Sequence, residues 1–182
     1  IRMTVTYGVI GCGMMGREHL QNIALLEGAR VGAIYEPDAG MAAAAAALAP
    51  DAVMAGSLDA LLDTPSLDCL LIVSPNHCHA DQLEAIATKV TLPILVEKPL
   101  FTSPDDLARM QAFRDSYGAP VWVAMEYRYM PPMQTFLNMV EDVTGGIRML
   151  SITEHRFPFL RKVNNWNRFN ANSGGTLVEK CC

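Results

Sequence analysis

An apolar run that ends in a glycine-rich turn, then a helix, a second apolar run and an acid, limits what this 182-residue chain can fold into. Thr4-Val5-Thr6-Tyr7-Gly8-Val9-Ile10 reads as a strand. Gly11-Cys12-Gly13-Met14-Met15-Gly16 reads as a turn into a helix that places Leu20, Ile23 and Ala24 on one face and stops at Gly28. Val31-Gly32-Ala33-Ile34-Tyr35 is a second strand, and Glu36 closes it twenty residues after Gly16. Strand, glycine turn, helix, strand and acid is the order a dinucleotide-binding βαβ unit requires. Gly11, Gly13 and Gly16 serve in turn the tight bend, the approach to a pyrophosphate and the contact of helix with sheet. Met14 and Met15 complete the phosphate-facing loop at a helix start, where free N–H groups and a partial positive charge favour an anion. The Glu36 carboxylate suits ribose hydroxyls and repels a 2′-phosphate, so the expected cofactor is NAD, with NADP disfavoured.

The alternation continues along the chain. Asp38 caps a helix over Met41–Leu48, Ala52-Val53-Met54 forms a short strand, and Ser57 caps a helix bearing Leu58, Leu61 and Leu62. The continuous apolar runs Cys69–Val73 and Ile94–Val96 fit parallel strands covered on both faces. Ser103-Pro104-Asp105-Asp106 starts a helix whose Leu107, Met110, Phe113 and Tyr117 share a face, and Val121–Ala124 is the sixth strand. The fold class is α/β: a doubly wound Rossmann sheet over residues 1–125, then the beginning of a second domain over 126–182. In that second part Pro131-Pro132 opens a helix, Gly145-Gly146 turns the chain into a long strand Ile147–Arg156, a polar loop runs to Ser173, and Gly174-Gly175 begins another element. One strand, one helix and a loop cannot close a core, so the chain reads as a piece of a longer protein. Ile1 is not an initiator, and Met3 is a candidate natural start.

Composition excludes several functions. Fourteen Lys and Arg against nineteen Asp and Glu, with no basic run, argue against nucleic acid. No apolar run approaches the ~20 residues of a membrane span, and no signal peptide is visible. Five cysteines, two of them adjacent at the end, make no disulfide framework and fit a reducing cytoplasm. His77, Cys78 and His79 diverge from one turn and have no partner set at zinc spacing, so no metal is expected.

Two further strand ends carry polar clusters: Ser74-Pro75-Asn76-His77-Cys78-His79 after the fourth strand and Glu97-Lys98-Pro99 after the fifth. Ligands of an open parallel sheet bind outside the carboxyl ends of its strands, so both clusters share an edge with the glycine loop. Ser74, Pro75, Asn76, His79 and Glu97 therefore join the cofactor-binding set, and Lys98 is the candidate catalytic residue, beside a Glu97 able to pair with it.

The glycine loop, Glu36, Ser74-Pro75-Asn76 with His79, Glu97-Lys98-Pro99, Arg128-Tyr129-Met130-Pro131 and Gly174-Gly175-Thr176-Leu177-Val178-Glu179 together resemble the Gfo/Idh/MocA family of oxidoreductases (glucose–fructose oxidoreductase, inositol dehydrogenase and relatives). The resemblance covers the whole chain. It implies a second α/β domain on a large open sheet that forms homo-oligomers, and NAD(P)-dependent hydride transfer at a secondary alcohol of a sugar, inositol or other polyol. It places Lys98 beside the nicotinamide and the reacting hydroxyl. It adds Arg128 to the cofactor set, maps Glu179 onto an acidic position where Asp is more usual, and puts a second catalytic residue, a histidine, one position past Cys182. Arg156 and Trp166, with Lys162, Asn165 and Asn167, are candidate substrate contacts, since donors and an aromatic face suit a hydroxyl-rich ring. The competing reading is a ligand sensor that keeps the fold and the nucleotide site without turnover.

Overall fold

A computed structural model describes residues 4–153 and 161–180. They form two compact units, Ile1–Ala124 with Lys162–Cys182, and Met125–Arg161. The first is built on six strands: β1 (Val5–Ile10), β2 (Ala29–Tyr35), β3 (Val53–Ala55), β4 (Cys69–Ile72), β5 (Ile94–Glu97) and β6 (Val121–Ala124). All pair in parallel in the order β3-β2-β1-β4-β5-β6. The order reverses between β1 and β4, which opens a crevice beyond their carboxyl ends.

Residue alternation explains why both faces are covered. On β1 and β4, Ile10, Leu70 and Ile72 enter one apolar cluster with Leu61, Leu83, Ile86, Val96, Met110 and Phe113. Their neighbours Val9, Leu71 and Val73 enter the other with Leu20, Ile23 and Ile34. Successive strand side chains leave on opposite sides, so a continuous apolar run feeds two cores at once. Each fully buried Leu or Ile adds about 1.5–3 kcal/mol.

The helices are α1 (Met14–Leu25), α2 (Ala39–Leu48), α3 (Leu58–Leu62), α4 (His79–Ala87) and α5 (Leu107–Ser116). Gly16, Leu20 and Ile23 form the buried stripe of α1, at the spacing of one helix face. The expected caps are present: the Asp38 side chain accepts from the Met41 N–H at 2.9 Å, and Ser57 Oγ from the Ala60 N–H at 3.0 Å. Tyr117 ends α5, stacks on Phe113 at 4.9 Å and donates its hydroxyl to the Leu92 carbonyl at 2.7 Å.

In the second unit, Pro131 opens α6 (Pro131–Thr144), and Gly145 ends it in the left-handed region, with φ of 63°. The expected strand Ile147–Arg156 does not form over residues 147–153, and residues 154–156 lie outside the described part. Among the described residues no segment pairs with it, and an isolated strand leaves its ladder groups unsatisfied. The expected loop also differs: a 3-10 turn runs over Val163–Arg168, followed by α7 (Asn170–Ser173) and α8 (Gly175–Lys180), all grouped with the sheet unit. No described helix is long and apolar enough to cross a membrane.

The α2 cap carries a direct expectation. Replacing Asp38 with Ala removes the acceptor for Met41 and should lower unfolding free energy by about 1 kcal/mol in urea titration. An unchanged midpoint would show that the alanine run needs no cap.

Candidate functional site

The edge of the sheet is organised by how the backbone leaves β1. Gly11 has φ of +88°, and a Cβ built there would lie 2.6 Å from Ser74 Cα. A Cβ on Gly16 would lie 2.5 Å from the Gly11 carbonyl oxygen. These two glycines are therefore demanded by the fold. Gly13 differs: a Cβ there meets nothing within 4 Å. Open space over the first turn of α1 is what a pyrophosphate needs, so the residues present fit a dinucleotide.

Glu36 is held at the end of β2. One carboxylate oxygen accepts from the Cys12 N–H at 2.6 Å and the other from the Asp38 N–H at 2.9 Å. Each oxygen keeps lone-pair capacity for a ribose hydroxyl. Burial, with Glu36 beside it, pushes the Cys12 thiol up to about 12, so this cysteine is an inert part of the loop. Met15 packs against the core cluster on the α1 face of the sheet, whereas Met14 is exposed at the helix start.

At the end of β4, Pro75 leads into a 3-10 turn over Asn76–Cys78, and Ser74 Oγ donates to Gln82 Oε1 at 2.5 Å. Asn76 is buried, and among the described residues its Nδ2 has no hydrogen-bond partner. His79, fully buried at the start of α4, places Nδ1 2.7 Å from the Pro99 carbonyl oxygen and Nε2 3.0 Å from that of Ser74. It bridges the loops after β4 and β5. Burial lowers its pKa, against the upward pull of both carbonyls and of Glu97.

Glu97 and the Lys98 side chain do not pair. Glu97 Oε1 lies 2.9 Å from His19 Nε2 on α1, and Oε2 accepts the Lys98 backbone N–H at 3.2 Å. Lys98 Nζ donates instead to the Glu179 carbonyl oxygen at 2.8 Å. Neighbouring side chains at a strand end leave in opposite directions, so the two diverge. The Lys98–Pro99 peptide is cis. Sequence reasoning missed His19. Its signal was the spacing: three residues after Gly16 it borders the stripe that α1 buries.

Of the candidate substrate contacts, Trp166 lies with its ring 6.2 Å from that of His77 and 5.9 Å from Lys162 Nζ. The structure thus brings Ser74, Asn76, His79, Glu97, Lys98, Trp166 and Glu179 into one unit with the glycine loop. Arg128 sits in the turn Glu126–Tyr129 of the second unit, and Arg156 lies outside the described residues. Among the described residues no cluster of three or more His, Cys, Asp or Glu side chains could hold a metal ion.

Residues 5–125 match the family described as "Oxidoreductase family, NAD-binding Rossmann fold", GFO_IDH_MocA. The chain belongs to the Gfo/Idh/MocA oxidoreductases. It is 40% identical over 153 residues to an inositol 2-dehydrogenase of Leifsonia xyli subsp. xyli, covering 83% of this chain and 44% of that protein. It is 30% identical over 156 residues to inositol 2-dehydrogenase 2 of Saccharopolyspora erythraea, covering 85% of this chain and 46% of that one. The crystal structure of myo-inositol dehydrogenase from Lactobacillus casei in complex with NAD(H) and myo-inositol superposes with a TM-score of 0.71 at 26% identity, over 78% of this chain and 42% of that one. The chain thus spans a little under half the length of these relatives.

The glycines separate folding from binding. Gly13→Ala should unfold like the parent protein yet lose about tenfold in NAD affinity by calorimetry, whereas Gly11→Ala should be destabilised. Equal NAD affinity of Gly13→Ala would remove Gly13 from the phosphate site. His79 makes stability depend on pH. Its folded pKa lies below the unfolded value of 6.5, so the unfolded chain binds the extra proton. The contribution of His79 is complete above pH 6.5 and is lost as pH falls towards the folded value. In unfolding titrations His79→Gln should flatten this slope, at a cost of about 1–3 kcal/mol in neutral solution. A slope equal to that of the parent would assign the acid sensitivity elsewhere.

Proposed function

We propose that the full-length protein is an NAD-dependent dehydrogenase that oxidises a secondary alcohol of a polyhydroxylated substrate, or reduces the matching ketone. The carrying observation is the place of Lys98. It follows β5 on the edge that holds the glycine loop, with its Nζ tethered to Glu179 of α8. Inositols lead the substrate class because relatives sharing 30–40% identity are inositol 2-dehydrogenases.

The nicotinamide supplies the hydride acceptor. The chain does the rest. Backbone N–H groups at the start of α1 hold the pyrophosphate, and Glu36, fixed by Cys12 and Asp38, accepts from the ribose. Ser74, Pro75 and Asn76 line the β4 side of the crevice, and His79 fixes their loop against Pro99. With the reacting hydroxyl beside Nζ, a neutral Lys98 amine takes the hydroxyl proton as the C–H bond breaks. As an ammonium it has three donors, so the bond to Glu179 leaves two for the developing negative charge. Trp166 offers a ring face to the C–H side of the substrate. Arg128 and Arg156 add cofactor or substrate contacts from the segment after β6, Glu179 adds a substrate contact from α8 of the sheet unit, and the whole protein forms homo-oligomers in the cytoplasm.

In the full-length protein, Lys98→Met should lower kcat by about 10²–10⁴-fold with NAD affinity nearly unchanged. The assay is NADH formation with a panel of inositols, aldoses and sugar acids. Undiminished turnover in the variant would sink the role of Lys98. NAD binding with no turnover of any alcohol by the parent protein would instead favour a sensor of the same fold.

A further inference from the structure

Glu97 is a nearly buried carboxylate whose side chain is 10% exposed, and among the described residues its side-chain hydrogen-bond partner is His19, 21% exposed. A carboxylate removed from water is costly unless its lone pairs are filled. Here Oε1 is filled by an imidazole of the helix that opens the nucleotide site, and Oε2 by the backbone N–H of the next residue, Lys98. The Lys98 side chain takes no part in the pair, because Nζ is engaged at Glu179. The costly carboxylate therefore fixes the main chain from which the lysine projects. Its other end reaches α1, whose first turn lies at the open space over Gly13.

We propose that His19 is a positioning residue for Lys98. Through Glu97 it sets the strand-end backbone of the lysine in register with the phosphate-binding helix, so that the amine and the nucleotide are held by one rigid connection. A shift of about 1 Å at a reacting group costs ~10²-fold in rate. The chain His19–Glu97–Lys98 N–H crosses from α1 to β5 in two hydrogen bonds, 2.9 and 3.2 Å long. Loss of the imidazole leaves Glu97 unpaired on that side and frees the backbone at residue 98 to move.

The inference rests on the dehydrogenase reading, and the test separates the two. Full-length parent, His19→Leu and His19→Gln are compared with NAD and the alcohol that the parent oxidises. The side-chain amide of Gln can replace Nε2–H towards Glu97. The expected result is a fall in kcat of about 10–100-fold in His19→Leu, with NAD affinity within about threefold of the parent, and recovery of most of kcat in His19→Gln. A second readout needs no turnover. Lysines are reductively methylated with ¹³C-formaldehyde, and the Lys98 resonance is identified by its absence in Lys98→Met. That resonance should shift or broaden in His19→Leu and return in His19→Gln.

Parental kcat and an unmoved resonance in His19→Leu would overturn the proposal. So would a loss of kcat that tracks a lowered melting temperature and is not restored by Gln, which would make the pair a clamp of the fold alone. Absence of turnover in the parent would fail the dehydrogenase reading instead, and the Lys98 resonance would then decide the positioning claim by itself.

Discussion

How closely the backbone leaving β1 can approach the backbone leaving β4 determines everything at this edge. The approach is so tight that a single Cβ at Gly11 would fall 2.6 Å from Ser74 Cα. That contact brings the glycine turn against the Ser74 loop at the reversal of strand order. From there His79 carries the same rigidity to Pro99, and Glu97 returns it to α1 through His19. The phosphate site, the β4 loop and the lysine loop form a circuit of backbone positions closed by side chains. An error at Gly11 would reach every group around it.

Much of this was legible in the chain because it is local. The continuous apolar strand runs, the caps at Asp38 and Ser57, and the glycine spacing are set by neighbours in sequence, and each was found where the pattern put it. The co-location of the Ser74 and Lys98 loops followed from one rule about parallel sheets. What escaped was long-range pairing. Nothing in Glu97-Lys98 tells which neighbour the carboxylate chooses, since the answer lies 78 residues away on α1. The missing strand after Gly146 has a different cause. A strand's stability comes from partners, and the described residues supply none.

Burial also sorts the chemistry of the edge. The two ring nitrogens of His79 face carbonyl oxygens in a fully buried setting, which suits a brace between loops. Cys12 sits inside the nucleotide loop, and its thiol is held far from ionisation. Lys98 differs from both: its Nζ donates to the Glu179 carbonyl.

The tether of that amine has an evolutionary reading. Nζ is bound by the main-chain carbonyl of residue 179, not by the glutamate side chain. Every amino acid brings the same carbonyl. The lysine's anchor is thus indifferent to mutation at position 179 so long as the helix persists. A substitution there changes what the side chain itself touches, while the lysine stays parked in the same place.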